Sequence, residues 1–138
     1  MAEVARFGVS MDEELLGKFD QLILKKGYPN RSEALRDLVR DTLVQQQWQH
    51  DEQVVGVVTL LYDHHARNLE PELTEVQHEH HEQILSTMHI HLDHDNCLEV
   101  VAVRGQGRQI EEIAAKLIRR KGVRHGKLTA TSTGRGLR

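Results

Sequence analysis

The sequence is poor in cysteine, proline and aromatic residues, and each shortage narrows the class of protein. Its 138 residues include one cysteine, two prolines, one tryptophan, two tyrosines and two phenylalanines. A single cysteine cannot form an intrachain disulfide, so its thiol is left for other chemistry. We find no apolar run long enough to span a bilayer and no signal peptide, and we expect a cytoplasmic protein with an aliphatic core. The length allows one domain or two small ones.

The net charge of −3 conceals an uneven distribution along the chain. Residues 1–50 carry seven basic and eight acidic groups, residues 51–100 carry one and eleven, and residues 101–138 carry ten and two. An acidic middle segment suits cation binding, although a solvated helix face has the same composition. The first segment is not strongly basic, so bulk charge alone does not indicate nucleic-acid binding.

Residues 77–99, QHEHHEQILSTMHIHLDHDNCLE, hold six of the ten histidines and the only cysteine. His89 and His91 are two residues apart in an alternating run, so in a strand their side chains share one face. We predict a hairpin with a three-residue loop at 94–96, which sets Asp93 opposite Cys97. Its odd-numbered face, opposite the core, would then carry the two histidines together with Cys97 and Glu99.

Two imidazoles and a thiolate on one surface are ligands for a borderline-soft divalent metal, which usually takes a fourth ligand. The candidates are His78, His80 and His81, in a segment that reads as helical. A helix covering the apolar face of the sheet would lie on the wrong side, so we expect the fourth histidine to come from a second chain. The alternative is a histidine-rich surface hairpin with a buried structural cysteine.

The N-terminal segment follows the order strand, helix, turn, helix, which is the ribbon-helix-helix pattern over residues 1–50. Residues 4–11 alternate as a short strand, Ser10 fits a capping box, and Gly27 and Asn30 mark the end of one helix and the start of the next. Two copies would pair their strands into a ribbon that fits the DNA major groove. A dimerisation module that never touches DNA is the alternative.

Two groups of residues in this domain are predicted to contact operator DNA. The outward positions of the ribbon would face the bases, and they are Arg6, Gly8 and Ser10. The start of the second helix could hold a phosphate through its amides, at Asn30, Arg31 and Ser32.

Residues 54–132 follow the order βαββαβ, which is the split βαβ or ferredoxin-like, ACT-like arrangement of an α+β protein. The first strand is apolar on both faces, so we expect the face left open by the helices to pack on another subunit and to carry the histidines. The last eight residues, TSTGRGLR, are predicted to be disordered.

The two halves together resemble the nickel-responsive transcriptional regulators, the NikR family. The resemblance is carried by KKGYPNRSEALRDLVR, VQHEHH, TMHIHLDHDNCLEVVAVRG and GVRHGKL. It implies a homotetramer, a dimer of dimers, with one Ni(II) per chain shared between subunits. Its implied square-planar ligands are His89, His91 and Cys97 of one chain and His78 of another, and it prefers His78 over the two neighbouring histidines.

Three further residues are interpreted beside this resemblance. Regulators of this family place a weaker cation between their domains, and the matching carboxylates are Glu33 and Asp37, for which a solvated pair beside Arg36 is the alternative. We interpret Glu99 as a residue that holds a metal ligand, against an exposed strand glutamate. Family ribbons carry a hydroxyl where this chain has Gly8, so we expect its operator to differ in sequence from the family's.

The sequence therefore predicts a nickel-dependent repressor that binds double-stranded operator DNA and controls nickel uptake. A copper- or zinc-responsive regulator of the same architecture is an alternative, because these ligands bind copper at least as tightly. A metal storage or delivery protein, in which the ribbon only dimerises, is another. We see no paired acid and base beside an open coordination position, so we do not expect an enzyme. Because no apolar run is long enough to span a bilayer, we do not expect a membrane partner either.

Overall fold

The computed structural model describes residues 3–138, so the first two residues of the predicted N-terminal domain lie outside it. Residues up to Leu43, with Gly136–Arg138, form one compact unit, and Val44–Arg135 form a second. Among the described residues, no helix is both long and apolar enough to cross a bilayer. The elements in chain order are α1 (Glu13–Lys26), α2 (Arg31–Gln49), β1 (Gln53–Asp63), α3 (Leu69–Glu79), β2 (Ile84–His91), β3 (Asn96–Gln106), α4 (Gly107–Ile118) and β4 (Val123–Ser132).

The segment before α1 has no strand pairing within the single chain, over residues 3–12. Its apolar side chains face solvent, with Val4 82%, Phe7 81% and Val9 61% exposed. A strand needs a hydrogen-bonded neighbour, and one chain offers none here. The predicted ribbon strand over residues 4–11 therefore stays a prediction that requires a second copy.

The ends of the two N-terminal helices follow the predicted residues except at the first cap. Asp12, rather than Ser10, caps α1, and its carboxylate accepts the backbone N–H of Glu14 at 2.9 Å. The carboxylate is the stronger acceptor and lies next to the helix, which explains the difference. Gly27 ends α1 with a φ of 78°, as predicted. Asn30 caps α2 through a 2.9 Å bond from a first-turn backbone N–H, also as predicted.

The second unit has the predicted βαββαβ order, with its strands arranged β2-β3-β1-β4 and every neighbouring pair antiparallel. Pro71 falls in the first turn of α3, where its missing N–H costs little. Helices α3 and α4 bury their apolar sides on one face of the sheet. This core contains Val54, Val58, Leu60, Tyr62, Leu69, Leu73, Val76, Cys97, Val101, Val103, Ile110, Ile113, Ala114 and Leu117.

The prediction that the histidine face lies opposite the core is wrong. Cys97 and Val101 are fully buried on β3, on the face that α3 and α4 cover. The open face instead carries the even-numbered side chains of the hairpin, and Met88 is 58% exposed there. Both faces of β3 carry apolar side chains, so the strand pattern alone does not predict which face the helices cover. β1 likewise alternates between buried and half-buried positions rather than being buried on both sides.

The β2–β3 hairpin pairs its residues two positions away from the predicted register. His91 lies directly opposite Cys97, and His89 directly opposite Glu99. The loop is 93–95, and the Asp93 carboxylate closes it by accepting backbone N–H groups at 2.9 and 2.8 Å. The side-chain amide of Asn96 lowers the pKa of Asp93, and these backbone bonds lower it further. A shift of two residues leaves odd-numbered side chains on one face and even-numbered ones on the other. The predicted ligands and Glu99 therefore still share a face.

The C-terminal residues are also more ordered than the sequence predicts. Within the second unit, the Gln47 amide donates to the carbonyl of Arg135 at 3.0 Å. Within the first, the Arg40 guanidinium donates to the carbonyl of Leu137 at 3.0 Å. These bonds to backbone carbonyls hold part of a segment whose composition indicates disorder.

Candidate metal centre

Cys97 lies at the start of β3, where two histidines approach its sulfur. Its side chain is fully buried. The Nδ1 atom of His91 lies 3.4 Å from Sγ, and the Nδ1 atom of His64 lies 3.5 Å from it. Strand pairing places His91 directly across from the cysteine, whereas His64 comes from the loop between β1 and α3. One ligand atom from each of the three residues lies within 4.8 Å of the others.

A second group shares the same sulfur. His89, Glu70 and Cys97 each bring a ligand atom within 4.8 Å of the other two. The Tyr62 hydroxyl lies 3.2 Å from His89 Nδ1 and 3.4 Å from a carboxylate oxygen of Glu70. Burial and the surrounding carboxylates raise the pKa of Tyr62, so this hydroxyl keeps its proton. It can therefore donate to one neighbour and orient the imidazole of His89.

The thiol and the imidazoles together form a donor set for a borderline-soft divalent ion. A thiolate with two or three imidazoles suits nickel, copper or zinc, whereas magnesium and calcium prefer oxygen ligands. Burial raises the pKa of Cys97, and the nearby carboxylates of Glu70, Asp93 and Glu99 raise it further. In the metal-free chain the sulfur is therefore a neutral thiol. A metal must displace its proton to bind.

Glu99 is a buried carboxylate behind His89. It is 8% exposed, so the alternative to its predicted role, an exposed strand glutamate, is wrong. One oxygen lies 3.9 Å from His89 Nδ1, and the other accepts the Gln77 amide at 3.3 Å. The Thr87 hydroxyl donates to the amide oxygen of Gln77 at 2.6 Å. Burial raises the pKa of Glu99, while His89 and Gln77 act in the opposite direction.

The three histidines around the end of α3 do not join these groups. His78 is exposed and belongs to no cluster with metal-ligand spacing in the described chain. The His80 Nε2 atom lies 3.2 Å from the ammonium of Lys116, and the His81 Nδ1 atom lies 3.3 Å from the carbonyl of His78. The structure thus places His91 and His89 in two ligand groups that share the sulfur of Cys97, and it leaves His78 exposed. Among the described residues, no single group contains His89, His91 and Cys97 together.

The carboxylates predicted to hold a weaker cation already have partners in their own helix. Glu33 pairs with Arg36. Asp37 accepts the Tyr28 hydroxyl at 2.5 Å and lies 3.5 Å from the Arg40 guanidinium. Neither carboxylate belongs to a group with metal-ligand spacing anywhere in residues 3–138.

The residues predicted to contact DNA are exposed. Arg6, Gly8 and Ser10 lie in the extended segment before α1, and Asn30, Arg31 and Ser32 lie around the start of α2. The guanidinium of Arg31 donates to both carboxylate oxygens of Asp20 at 2.9 Å. This pairing lowers the pKa of Asp20 and fixes the position of Arg31.

Sequence reasoning missed three residues near the sulfur, namely His64, Glu70 and Tyr62. They are separated from Cys97 by at least 27 positions in the chain, so no local spacing connects them. One signal was available, because the His64–His65 pair follows β1 directly. β1 pairs with β3, and the end of β1 therefore lies beside the start of β3, where the cysteine is.

Comparison with known proteins matches both parts of the chain. A family described as the NikR C-terminal nickel-binding domain matches residues 55–131, and the copG family of ribbon-helix-helix proteins matches residues 5–46. A relative from Geobacter sulfurreducens is 57% identical over 138 residues, 99% of each chain. One from Solibacter usitatus is 57% identical over 135 residues, 97% of each chain. Both are named, provisionally, as nickel-responsive regulators.

A solved structure shares the fold of part of the chain. It is an uncharacterized protein from Thermotoga maritima, with a TM-score of 0.53 and 16% sequence identity. It covers 59% of this chain and all of its own. At this identity the likeness concerns the fold alone.

Proposed function

This chain belongs to the nickel-responsive regulators, a family of transcription regulators and not of enzymes, and we propose that it is a repressor that binds operator DNA when nickel is bound. We assign residues 1–50 to the DNA-binding domain and residues 54–132 to the metal-binding domain. The observation that carries the proposal is that His91 and His89 each bring a ligand atom within 4.8 Å of the buried sulfur of Cys97, in two groups that share this sulfur. We further propose that the protein acts in the cytoplasm on genes of nickel uptake.

His89, His91 and Cys97 of one subunit would hold Ni(II) together with His78 of a neighbouring subunit, one ion per chain. Ni(II) prefers thiolate and neutral imidazole ligands, and these residues would provide both. Support for the shared site comes from the position of His78, which is exposed on α3 and outside the clusters of its own chain. Because α3 covers the same face of the sheet that carries the ligands, the side on which it packs does not by itself require a second chain. The exposure of His78 and the family membership support one.

Hydrogen bonds within the chain hold part of this site in position in the metal-free protein. Tyr62 and Glu99 flank the imidazole of His89, and Gln77 connects Glu99 to Thr87. Gln77 is also the residue directly before His78 in α3. Fixing Gln77 against the sheet therefore fixes the part of α3 that presents His78 to a neighbour.

The N-terminal unit is proposed to read DNA as a dimer, within a tetramer built from two such dimers. In the described chain its buried apolar residues are Ile23 and Ala34 alone, while Val4, Phe7 and Val9 are exposed. So small a core favours an obligate dimer, in which the extended segment of one copy pairs with that of the other. Arg6 and Ser10 would then read bases, and the residues at the start of α2 would contact phosphates.

The proposal is tested by measuring the affinity of the full-length protein for DNA with and without nickel. Operator DNA would be selected from random duplexes with the nickel-loaded protein and then titrated by fluorescence anisotropy. Nickel should tighten binding to the selected duplex and leave binding to a scrambled duplex unchanged. Equal affinity for the selected duplex with and without nickel would refute the proposal of a nickel-dependent regulator. Equal affinity for the selected and scrambled duplexes would favour a storage protein.

The same titration separates nickel from other metals. Copper should bind at least as tightly as nickel, because that order is general for nitrogen and sulfur ligands. A nickel sensor requires that nickel, more than copper or zinc at equal occupancy, increases operator affinity. A larger increase with zinc or copper would assign the regulator to that metal.

A further inference from the structure

Arg124 lies on β4, at a point where the pairing of β4 with β1 is irregular. Leu61 of β1 lies opposite His125. The next residue of β1, Tyr62, lies opposite Val123, so Arg124 is an extra residue without a partner on β1. A bulge of this kind redirects the side chain of the extra residue and increases the local twist of the strand. The guanidinium of Arg124 is therefore free of the regular cross-strand pairing and can reach beyond β1.

The guanidinium of Arg124 connects the end of β1 to the start of β3. Its Nη1 atom donates to the side-chain oxygen of Asn96, the first residue of β3. Its Nη2 atom lies 3.4 Å from a carboxylate oxygen of Asp63, the last residue of β1. Asp63 and Asn96 lie opposite each other and form the final pair of the two strands. Arg124 thus holds this final pair from a third strand.

The pair that Arg124 holds lies directly beside the proposed nickel site. The next pair of the same two strands is Tyr62 with Cys97. The Tyr62 hydroxyl lies 3.2 Å from His89 Nδ1, and His91 lies opposite Cys97 on β2. Strand ends open more readily than strand interiors. A contact that holds the final pair therefore limits the motion of the residues that position the sulfur and the imidazoles.

The two partners of Arg124 also close the loops on either side of the sulfur. The second carboxylate oxygen of Asp63 accepts the backbone N–H of His65 at 2.9 Å, which closes the loop after β1. The side-chain amide of Asn96 donates to both carboxylate oxygens of Asp93, at 3.1 and 3.2 Å, which closes the hairpin loop. One guanidinium therefore contacts a residue from the closing hydrogen bonds of each loop.

We propose that Arg124 is a positioning residue for nickel binding, which acts on the ligands through Asp63 and Asn96. The inference rests on the proposed function, because that function assigns nickel to Cys97 and its neighbours. The side chain of Arg124 is 49% exposed, and ion pairs this exposed contribute little to the stability of a fold. A metal site is more demanding, because its ligands must be held within about 0.5 Å of the productive geometry. Arg124 should therefore affect nickel binding more than folding.

The proposal is tested by titrating the full-length protein with nickel in competition with a chelator. Arg124→Gln should lower the nickel affinity by about tenfold, the lower end of the loss that follows removal of a residue supporting metal ligands. Arg124→Lys should not restore the affinity, because one ammonium does not present the planar fork that holds Asp63 and Asn96 together. Arg108→Gln, which changes an exposed arginine in the first turn of α4, is the control and should bind nickel as the parent chain does.

Two further measurements separate positioning from a loss of fold. The melting temperature of the nickel-free Arg124→Gln protein should match that of the Arg108→Gln control. At saturating nickel, the absorption band of the nickel–thiolate bond should be shifted in Arg124→Gln relative to the control. A lower melting temperature together with an unshifted band would overturn the proposal, because the weaker binding would then follow from a less stable fold.

Two other results would also overturn the proposal. The first is an Arg124→Gln protein that binds nickel as tightly as the control does. The second is full recovery of the affinity in Arg124→Lys, which would assign the effect to charge and not to the connection between the two strands. If nickel fails to change operator affinity while Arg124→Gln still weakens nickel binding, only the regulatory function is refuted.

Discussion

At the scale of single residues, the proposed metal site depends on one sulfur and the groups that surround it. Side-chain parity in the hairpin correctly predicted that His89, His91, Cys97 and Glu99 share a face, because a strand directs alternate residues to the same side. It could not predict that this is the face that the helices cover, where Cys97 and Glu99 are buried while His89 and His91 stay exposed. The predicted placement was the face opposite the core, whereas Val101 and Val103 on the same face of β3 belong to the core.

Replacing Cys97 should abolish tight nickel binding and leave the metal-free fold intact. The Cys97→Ala substitution removes one buried sulfur, which should reduce the free energy of unfolding by only about 1 kcal/mol. Nickel affinity should fall by at least about 100-fold, since a ligand matters more than the outer-sphere partners whose loss costs about 10–100-fold. Isothermal titration calorimetry and thermal melting measure the two effects. Unchanged nickel affinity would exclude the sulfur as a ligand.

The raised pKa of Cys97 predicts that nickel binding depends on pH. At neutral pH the thiol is protonated, so binding must release its proton, and the apparent affinity should increase as the pH rises toward that pKa. Each released proton changes the affinity about tenfold per pH unit. Calorimetry in buffers of different ionisation enthalpy counts these protons. Binding that releases none at neutral pH would mean that the site does not use a thiolate.

At the scale of helices and strands, local signals predicted the elements, and distant contacts decided how they are placed. Gly27 and Asn30 were correctly interpreted because each acts within one turn of backbone. The hairpin register was wrong by two residues, because a loop at 93–95 and one at 94–96 both satisfy turn chemistry. The role of His64 was missed because it depends on the pairing of β1 with β3, which local periodicity does not encode.

The loop that carries His64 is supported by Gly122, where a larger residue should be destabilising. Its φ is 103°, and a Cβ atom there would meet Ala66 at 2.8 Å and Leu69 at 3.0 Å. Gly122→Ala should lower the free energy of unfolding by about 2–3 kcal/mol, combining backbone strain with overlap.

Gly134 is the matched control, because its φ of 92° is similar and a Cβ atom there meets nothing within 4 Å. Gly134→Ala should therefore cost about 1 kcal/mol, the strain alone. Urea denaturation of the metal-free proteins compares the two. Equal losses in the two variants would mean that Gly122 is not needed for close packing beneath this loop.

At the scale of the whole molecule, the proposed regulation requires DNA recognition and metal binding to be linked through subunits that one chain does not contain. The N-terminal unit exposes the apolar side chains of its extended segment, and the sheet leaves one face open with Met88 and Leu92 exposed. These surfaces support assembly at both ends of the chain. Linkage then requires that operator DNA tighten nickel binding by the factor by which nickel tightens operator binding.

The ribbon predicts a specific effect of Arg6 on DNA affinity. Removal of a base-contacting arginine costs about 1–3 kcal/mol, so Arg6→Ala should weaken operator binding by roughly ten- to a hundredfold. Arg67→Ala, an exposed arginine in the other unit, is the control and should bind as the parent does. Anisotropy titrations at one fixed salt concentration measure both. An Arg6→Ala protein that binds as tightly as the control would show that the ribbon does not read the operator.

The claim that a neighbouring chain completes the nickel site is tested most directly by mixing two inactive variants. His78→Ala chains keep Cys97, and Cys97→Ala chains keep His78, so neither alone should bind nickel tightly. Refolded together in equal amounts, they should regain about a quarter of the tight sites, because each complete site needs one intact donor from each kind of chain. Nickel retained after dialysis against a chelator measures this recovery. Recovery at that level is the result we predict, and its complete absence, with the two kinds of chain shown to have assembled together, would contradict a site shared between subunits.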